Sequence, residues 1–414
     1  MYDLVSLGRN ARTASNSLKT TTTAQRNKAL ALIAKELLSS TRQIIAANEL
    51  DLANAKTGGM KSAMLDRLTL NQNRIEDIAK AIQEVIDLAD PVGVVEKGET
   101  RPNGLLILKT RVPIGVVAMI YEARPNVTVD AAVLCIKSGN ACILRGGSEA
   151  FSSNRVLVSI MQRALGAAGL DPNSVQLVED TSRDTATRLM KLNEYVDVLI
   201  PRGGAGLIKS VVENATVPTI ETGAGNCHIY VDASANLDMA VSVIDNAKTS
   251  RPSVCNAVET ILIHKNMATE LLPRLKKQLD LHNVDLRGCP ATLKILPSIT
   301  AATETDYATE YDDYILAIKV VDSLDEAVKH IAEYSTGHSE SIITESYSAS
   351  QEFIARVDSA AVYVNASTRF TDGGEFGLGA EVGISTQRLH ARGPMGLRDL
   401  TTAKYIITGN GQVR

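Results

Sequence analysis

From residue 114 onward, short apolar runs alternate with stretches of helical periodicity, and this alternation restricts the chain to few folds. The first five runs, read as strands, are IGVVAMI, ACILR, SVQLVE, VDVLIP and TIET. The segments between them are predicted helices over 127–138, 149–168, 184–193 and 203–214. Strands joined through helices of this length form a parallel sheet with helices on both faces.

The alternation resumes further along the chain and predicts a second α/β unit of similar size. Its predicted strands are HIYVD, ETILIH, TLKIL, ILAIKVV, SIIT and AAVYVN, and its helices include 236–248, 267–281 and 324–334. The first hundred residues are helical in pattern, and NGLLILKTRV then predicts a hairpin arm or an edge strand. The predicted fold class is therefore α/β with two doubly wound domains.

The composition excludes several classes of function. The chain carries a net charge of −4, contains no Trp and has no long basic block, so a nucleic-acid partner is not expected. Its longest apolar run, VPIGVVAMIY, is about half the length of a membrane span, and the N-terminus lacks the apolar core of a signal peptide. Five scattered cysteines predict neither a disulfide framework nor a metal site. We expect a cytoplasmic protein without a membrane partner.

Cys255 lies in RPSVCN, a polar stretch between the predicted helix 236–248 and the strand ETILIH. Arg251 precedes it by four residues, where a cation favours the reactive thiolate. The other cysteines lie in apolar runs, before a strand, or in a Cys-Pro turn: Cys135, Cys142, Cys227 and Cys289. Position alone leaves two interpretations of Cys255 open, a nucleophile or the commoner structural thiol.

Two predicted strands end in glycine-containing turns where a nucleotide could bind. VDVLIP leads into RGGAG, where Gly203 and Gly204 would let a phosphate approach a helix N-terminus. ACILR ends in Arg145 and leads to Ser148, a pair that suits the 2′-phosphate of NADP. Neither turn is a GxGxxG motif, so both could also be tight turns that bind no ligand. Glu149 lies close to the second turn, and an acid there leaves NAD as an alternative cofactor. If a nucleotide binds, we expect NADP.

These segments resemble the aldehyde dehydrogenase superfamily over essentially the whole chain. VPIGVVAMIYEARPNVT is similar to the strand and loop that carry the oxyanion-hole asparagine, here Asn126. TIETGAGNCH resembles the segment of the superfamily glutamate, here Glu221, and RPSVCNAVETILIH the nucleophile segment with Cys255. GNACILRGGSEA and VDVLIPRGGAG resemble the segments that bind the cofactor ribose and pyrophosphate. EVGISTQRLHARGPMGLRDLTTAKYI is similar to the branch that reduces an acyl phosphate in proline synthesis.

The resemblance implies NADPH-dependent reduction of L-glutamyl 5-phosphate to L-glutamate 5-semialdehyde, through a thioester on Cys255 and with release of phosphate. It implies a homo-oligomer, and glutamate 5-kinase is a candidate partner. The implied domains are an NADP-binding domain (1–97 and 112–225), a catalytic domain (226–390), and an oligomerisation arm with a C-terminal strand (98–111 and 391–414).

The resemblance also assigns further binding residues. Glu310 falls where the superfamily places a contact to the nicotinamide ribose. Glu221 is followed by Thr-Gly-Ala-Gly instead of the hydrolytic pattern, so we do not expect it to activate water. The substrate carboxylate and phosphate call for cations, and the substrate ammonium calls for an acid; the candidates are Arg124, Arg251, Arg369 and Glu122. Structural ion pairs or solvated charges are the alternative for each.

Two rival functions stay open. A hydrolytic NAD(P)-dependent aldehyde dehydrogenase would not need phosphate to release its acyl group, whereas an acyl-phosphate reductase run in reverse would. A non-catalytic nucleotide-binding partner of glutamate 5-kinase would need neither Cys255 nor Asn126.

Overall fold

The computed structural model describes residues 2–60 and 62–414, which form two compact units. The first comprises the described residues up to Thr222 together with Gly377–Gly383 and Met395–Arg414, and the second comprises Gly223–Phe376 and Ile384–Pro394. Residues 377–383 thus pack with the first unit, although the predicted boundaries grouped them with the second. The roles predicted for the units, cofactor binding and catalysis, stay predictions.

The helices and strands alternate between Val116 and Val364. The helices are α1 Leu4–Leu18, α2 Thr23–Ser39, α3 Thr41–Thr57, α4 Ser62–Leu68, α5 Gln72–Asp87, α6 Pro125–Lys137, α7 Phe151–Ala168, α8 Arg183–Leu189, α9 Ala205–Asn214, α10 Leu237–Thr249, α11 Lys265–Leu279, α12 Pro290–Ile295, α13 Glu304–Tyr307, α14 Leu324–Tyr334 and α15 Tyr347–Arg356. The strands are β1 Val95–Thr100, β2 Leu106–Pro113, β3 Val116–Tyr121, β4 Ala141–Gly146, β5 Val175–Leu177, β6 Val198–Arg202, β7 Cys227–Val231, β8 Val258–His264, β9 Asp285–Gly288, β10 Thr300–Ala301, β11 Ile315–Val321, β12 Ser339–Ile343, β13 Ala361–Val364, β14 Gly383–Ser385, β15 Gly393–Met395 and β16 Thr401–Thr408.

The first unit contains a parallel sheet of four strands in the order β5-β4-β3-β6. Every residue of β3 is buried, which explains its unbroken apolar sequence. The fifth predicted strand, TIET, is wrong, because only Thr219 forms a bridge to β6, at Leu199. Pro201 in β6 has no N–H to donate, and its carbonyl accepts the Thr222 hydroxyl at 2.7 Å, so no ladder can extend there.

The second unit contains a parallel sheet of seven strands in the order β10-β9-β11-β8-β7-β12-β13. Ile229 and Val231 of β7 pack with apolar residues of α10 and α11. The residue between them, Tyr230, packs with residues of α14 and α15. Because alternate residues of one strand enter two separate cores, helices cover both faces, and the predicted doubly wound α/β class is confirmed.

One strand of the second unit was predicted in the wrong place. TLKIL lies in helix α12, and the strand beside it is β9, Asp285–Gly288. Pro290 occupies the first turn of α12, where its fixed φ and missing N–H suit a helix start. The sequence of β9, DLRG, lacks the apolar pattern by which the other strands were recognised.

A separate antiparallel sheet of order β1-β2-β16 belongs to the first unit. It matches the predicted hairpin arm, with β2 in the centre rather than at an edge. Tyr405, Ile406 and Ile407 of β16 are 62%, 40% and 58% exposed, an unusual apolar run for a solvated strand. Within the described ranges, no helix has the length and apolar character needed to cross a membrane.

Candidate active site

The carboxyl ends of β3 and β6 meet at one edge of the first unit's sheet. Glu122, which follows β3, donates its backbone N–H to the Arg202 carbonyl at 3.1 Å. Its Oε2 accepts the Gly204 N–H at 2.9 Å, and a Cβ on Gly203 would come within 2.4 Å of the same oxygen. The structure thus places Glu122 against the predicted pyrophosphate turn.

The turn at Gly203 and Gly204 opens the ten-residue helix α9. Backbone N–H groups at a helix N-terminus lack intrahelical partners and attract anions. Since the Gly204 N–H already donates to Glu122, an anion at this turn would compete with that carboxylate. The geometry is consistent with phosphate binding once the carboxylate withdraws.

The turn after β4 carries the predicted ribose-binding residues Arg145 and Ser148. Ser148 is exposed, whereas Arg145 is half-buried and donates from Nη2 to the Thr181 carbonyl at 2.5 Å. Burial lowers the pKa of Arg145 from its usual value. Its Nε–H is buried without a hydrogen-bond partner among the described residues. The positive charge of this guanidinium, on the same turn as Ser148, fits an anionic group such as the 2′-phosphate of NADP.

Ala123 begins the loop that leads to Asn126, and its φ of +37° lies in the left-handed region that few non-glycine residues adopt. The Ala123 N–H donates to Glu149 Oε1 at 2.6 Å. Glu149, the acid that left NAD as an alternative cofactor, therefore supports this loop. Strained backbone of this kind is common at functional sites. Pro125 then starts α6 and places Asn126 in its first turn.

Asn126 lines a cavity of about 180 Å³ within the first unit, together with Arg124, Asp130 and Arg202. Its Nδ2 donates to Asp130 Oδ2 at 3.0 Å. Burial raises the pKa of Asp130 to about 6, against smaller lowering effects of the Asn126 hydrogen bond and the Arg202 charge. Asp130 and Arg202 were not predicted, although an acid four residues after Asn126 on one helix was a usable signal.

Glu221 lies in the segment that follows the bridge at Thr219, beside the end of β6. Its neighbour Thr222 is held to this strand by the contact to Pro201. The structure therefore places Glu221 in the first unit, near the carboxyl end of β6.

Cys255 lies in a turn directly before β8, and its side chain is half-buried. The next residue, Asn256, is buried and donates from Nδ2 to the Thr371 carbonyl at 2.9 Å. The Asn256 carbonyl accepts the Thr368 hydroxyl at 2.7 Å. These contacts fix the backbone that carries the thiol, and Asn256 could be recognised beforehand only by its position next to Cys255.

The loop before β7 packs against the backbone of Cys255. A Cβ on Gly225 would lie 1.5 Å from the Cys255 carbonyl oxygen, so only glycine allows this approach. Glu310 Oε1 accepts the Gly225 N–H at 2.7 Å, and the Thr336 hydroxyl donates to the Ala224 carbonyl at 2.5 Å. Glu310, predicted to contact ribose, thus supports the loop that packs on the candidate nucleophile.

Two of the predicted substrate-binding arginines accompany Cys255. Arg369 donates from Nε to Ser250 Oγ at 3.0 Å, and its Nη1 contacts Asn256 Oδ1. Burial, and then repulsion from Arg251, lowers the pKa of Arg369, and this guanidinium also interacts electrostatically with Cys255. Cations near a thiol stabilise its thiolate form. The structure brings Arg251 and Arg369 together in the second unit, while Arg124 lines the Asn126 cavity in the first.

Cys227, at the start of β7, is fully buried, and its Sγ donates to the Cys255 carbonyl at 3.2 Å. Burial is the largest of the effects that raise the pKa of Cys227 well above its usual value, so this thiol stays neutral. Cys255 is therefore the better candidate nucleophile of the two.

Comparison with known proteins shows the family of the chain. Residues 3–303 match the model of the aldehyde dehydrogenase family. The chain is 57% identical to a γ-glutamyl phosphate reductase of Heliobacterium modesticaldum, with 100% of both chains covered. It is 58% identical to one of Clostridium perfringens, covering 100% of this chain and 99% of that one.

Solved structures extend the comparison. The crystal structure of the γ-glutamyl phosphate reductase of Thermotoga maritima superposes with a TM-score of 0.96 at 51% identity, over 100% of both chains. An acetylating aldehyde dehydrogenase of Geobacillus thermoglucosidasius superposes with a TM-score of 0.73 at 18% identity, over 100% of this chain and 97% of that one. The second likeness concerns the fold alone.

Proposed function

The chain belongs to the γ-glutamyl phosphate reductases of the aldehyde dehydrogenase family, and from this premise we propose how it reduces L-glutamyl 5-phosphate to L-glutamate 5-semialdehyde in proline biosynthesis. The observation that carries the proposal is the Cys255 turn, in which a half-buried thiol lies beside cations on a backbone held from two sides. This arrangement suits a thiolate that first attacks the acyl carbon and later acts as the leaving group.

In the proposed reaction the Cys255 thiolate attacks the phosphorylated carbonyl carbon. The C–S bond forms and gives a tetrahedral oxyanion; the bond from carbon to the phosphate oxygen then breaks, phosphate departs, and a thioester on Cys255 remains. The nicotinamide cofactor supplies the hydride. Cys255 then leaves as a thiolate when the C–S bond breaks and the semialdehyde is released, a role that a serine alkoxide, a poor leaving group, would perform badly.

Asn126 is proposed to stabilise the oxyanion. Its Nδ2 has two N–H donors, and the one not used by Asp130 can bind the charge that develops on the carbonyl oxygen. The backbone N–H of Cys255 is the proposed second donor.

Arg251 and Arg369 are proposed to bind the phosphate, since they accompany Cys255, the residue at which phosphate departs. Arg124 is proposed to bind the substrate carboxylate, because it shares the cavity of Asn126. Glu122 is supported less well as a contact to the substrate ammonium, because it accepts from Gly204.

A nicotinamide cofactor follows from the family, and we propose that it is NADPH. The positive charge of the half-buried Arg145 and the exposed hydroxyl of Ser148 support a 2′-phosphate at this turn. Gly203 and Gly204 would hold the pyrophosphate, and Glu221 and Glu310 are proposed on the nicotinamide side.

We also propose a homo-oligomer that forms through the β1-β2-β16 sheet, supported by the exposed Tyr405, Ile406 and Ile407. Light scattering of the wild-type chain and of an Ile407→Lys variant tests this: the variant should have the smaller mass, and equal masses would remove this surface from consideration. Direct transfer from glutamate 5-kinase and a cytoplasmic location stay predictions.

The deciding experiment follows the reaction in reverse, as reduction of NADP by glutamate semialdehyde with and without phosphate, repeated with NAD. We expect a strict requirement for phosphate, because phosphate must intercept the thioester, and faster reduction of NADP. Reduction of NADP at full rate without phosphate would identify a hydrolytic aldehyde dehydrogenase. If neither NADP nor NAD were reduced under any condition, a non-catalytic nucleotide-binding protein would be the remaining interpretation.

A further inference from the structure

We propose that Asp130 is a positioning residue for Asn126: its carboxylate fixes the orientation of the side-chain amide that stabilises the oxyanion. The inference rests on the proposed function, because Asp130 acts only through the oxyanion role of Asn126. The carboxylate does not itself touch the reacting atoms in this scheme.

The geometry supports a direct contact. Asn126 and Asp130 are one turn apart on α6, and Asn126 Nδ2 donates to Asp130 Oδ2 at 3.0 Å. Both side chains line the same cavity of about 180 Å³. The charged groups that share its wall come from three other segments: Arg124 before the helix, Arg202 at the end of β6, and Glu381.

The chemistry of the two side chains explains why an acid is needed. An amide presents a donor at one end and an acceptor at the other, and a half-turn exchanges them. If Asn126 turned its Oδ1 toward the substrate, it would repel the developing oxyanion. An ionised carboxylate only accepts hydrogen bonds, so it faces Nδ2 and excludes the inverted amide. The second N–H of Nδ2 is then directed elsewhere and can bind the substrate.

The carboxylate is held at an energetic disadvantage. Burial raises the pKa of Asp130 to about 6, above that of an aspartate in the unfolded chain. The folded state therefore favours the protonated acid, and stability falls as the pH rises from about 4 through 6, where folding must retain a charge that water would solvate better. A neutral side chain at this position would avoid the loss of stability. An acid that is kept despite this cost is expected where its charge is needed for function.

The test compares Asp130→Asn with the wild type in the phosphate-dependent oxidation of glutamate semialdehyde. Asparagine keeps the shape but can also donate, so it tolerates the inverted Asn126 amide. We expect kcat to fall by roughly 10- to 100-fold, less than the roughly 10²- to 10³-fold typical of losing an oxyanion donor. KM values for semialdehyde and NADP should change less than threefold. Thermal unfolding at pH 7.5 should occur at the same or a higher temperature.

Asp51→Asn is the matched control. Asp51 is a buried carboxylate of the first unit, whereas Asp130 is half-buried, and Asp51 accepts the backbone N–H groups of Ser152 and Ser153 at 3.1 and 2.8 Å. Its loss should lower the unfolding temperature and leave kcat unchanged. If Asp130 had only a structural role, Asp130→Asn would likewise lower the unfolding temperature and leave kcat unchanged.

A double-mutant cycle isolates the action through Asn126. In an Asn126→Ala background, Asp130→Asn should change kcat by less than twofold, because no amide remains to orient. The wild-type kcat should also fall as the pH drops through about 6, where protonation gives Asp130 a donor, and the Asp130→Asn profile should lack this limb.

Four results would overturn the inference. Independent, multiplying losses in the double variant would mean that Asp130 acts by another route. A raised KM for semialdehyde with unchanged kcat would make Asp130 a substrate-binding group. Normal kcat in Asp130→Asn, with a reduced kcat in Asn126→Ala, would remove the positioning role and leave the proposed function intact. Normal kcat in Asn126→Ala itself would remove the oxyanion role and the inference together.

Discussion

The two parallel sheets present their candidate site residues at opposite ends of their strands. In the first unit Glu122, Ser148 and Gly203 follow β3, β4 and β6, at the carboxyl edge of the sheet. In the second unit Gly225 and Cys255 precede β7 and β8, at the amino edge, and Glu310 precedes β11. The carboxyl edge is where open α/β sheets bind ligands, so only the first unit follows that rule.

The two edges are also built differently. At the carboxyl edge, side-chain carboxylates of Glu122 and Glu149 hold backbone N–H groups of adjacent loops. At the amino edge the loops pack backbone to backbone, as Gly225 does on Cys255, and the buried thiol of Cys227 donates to the carbonyl of Cys255. The first edge therefore suits a charged ligand that displaces side chains, and the second suits a nucleophile whose backbone must not move.

Removal of the Cys255 thiol gives the largest expected effect. Cys255→Ala should lower phosphate-dependent NADP reduction by roughly 10⁴-fold or more, since no covalent intermediate can form. NADPH affinity, measured by fluorescence titration, should stay within a few-fold of the wild type. Cys227→Ala, which removes the buried thiol beneath it, is the control and should cost far less. Equal losses in both variants would contradict the assignment of the nucleophile to Cys255.

Removal of the Asn126 amide should give the next largest effect. Asn126→Ala should lower kcat by roughly 10²- to 10³-fold, the range for one oxyanion donor, with little change in KM for semialdehyde. Steady-state kinetics with saturating phosphate measure this split. A loss confined to KM would mean that Asn126 binds ground state and transition state equally.

Most of the first unit's edge could be predicted from the sequence, because apolar runs that end in glycine turns are local signals. Arg145, Ser148, Gly203 and Gly204 were predicted this way, and the structure places them at that edge, while their cofactor-binding roles stay predictions. The amino-edge contacts could not be found locally, since Gly225 meets Glu310 and Cys255 across long stretches of chain. Cys255 itself was singled out by its polar loop and by resemblance.

The errors in strand assignment have a similar cause. TLKIL has the apolar composition of a strand, but the proline before it starts a helix, and the strand DLRG is too polar to recognise. TIET has the pattern of a strand, but Pro201 of β6 has no N–H to donate, so the ladder between β6 and TIET does not form. In each case a neighbouring residue, rather than the segment itself, decided the structure.

The backbone packing of the amino edge can be broken by one methyl group. Gly225→Ala would place Cβ 1.5 Å from the Cys255 carbonyl oxygen, so one of the two loops must move. A shift of about 1 Å at a nucleophile costs roughly 10²-fold in rate, and we expect a kcat loss of that order. Gly166→Ala in α7 is the control, because its Cβ would meet only Pro172 at 3.5 Å. It should keep kcat and unfold at the same or a higher temperature.

The smallest expected effect concerns the carboxyl edge and has the opposite sign. Glu122 accepts the Gly204 N–H that the cofactor pyrophosphate is proposed to use, and its negative charge repels that group. Glu122→Gln should therefore tighten NADPH binding by a few-fold, measured as a lower dissociation constant, while kcat changes little. Because Glu122 is exposed, the gain should shrink at high salt. If the variant instead raised KM for semialdehyde with NADPH binding unchanged, Glu122 would be a substrate contact, and the carboxyl edge of the first unit would not be reserved for the cofactor.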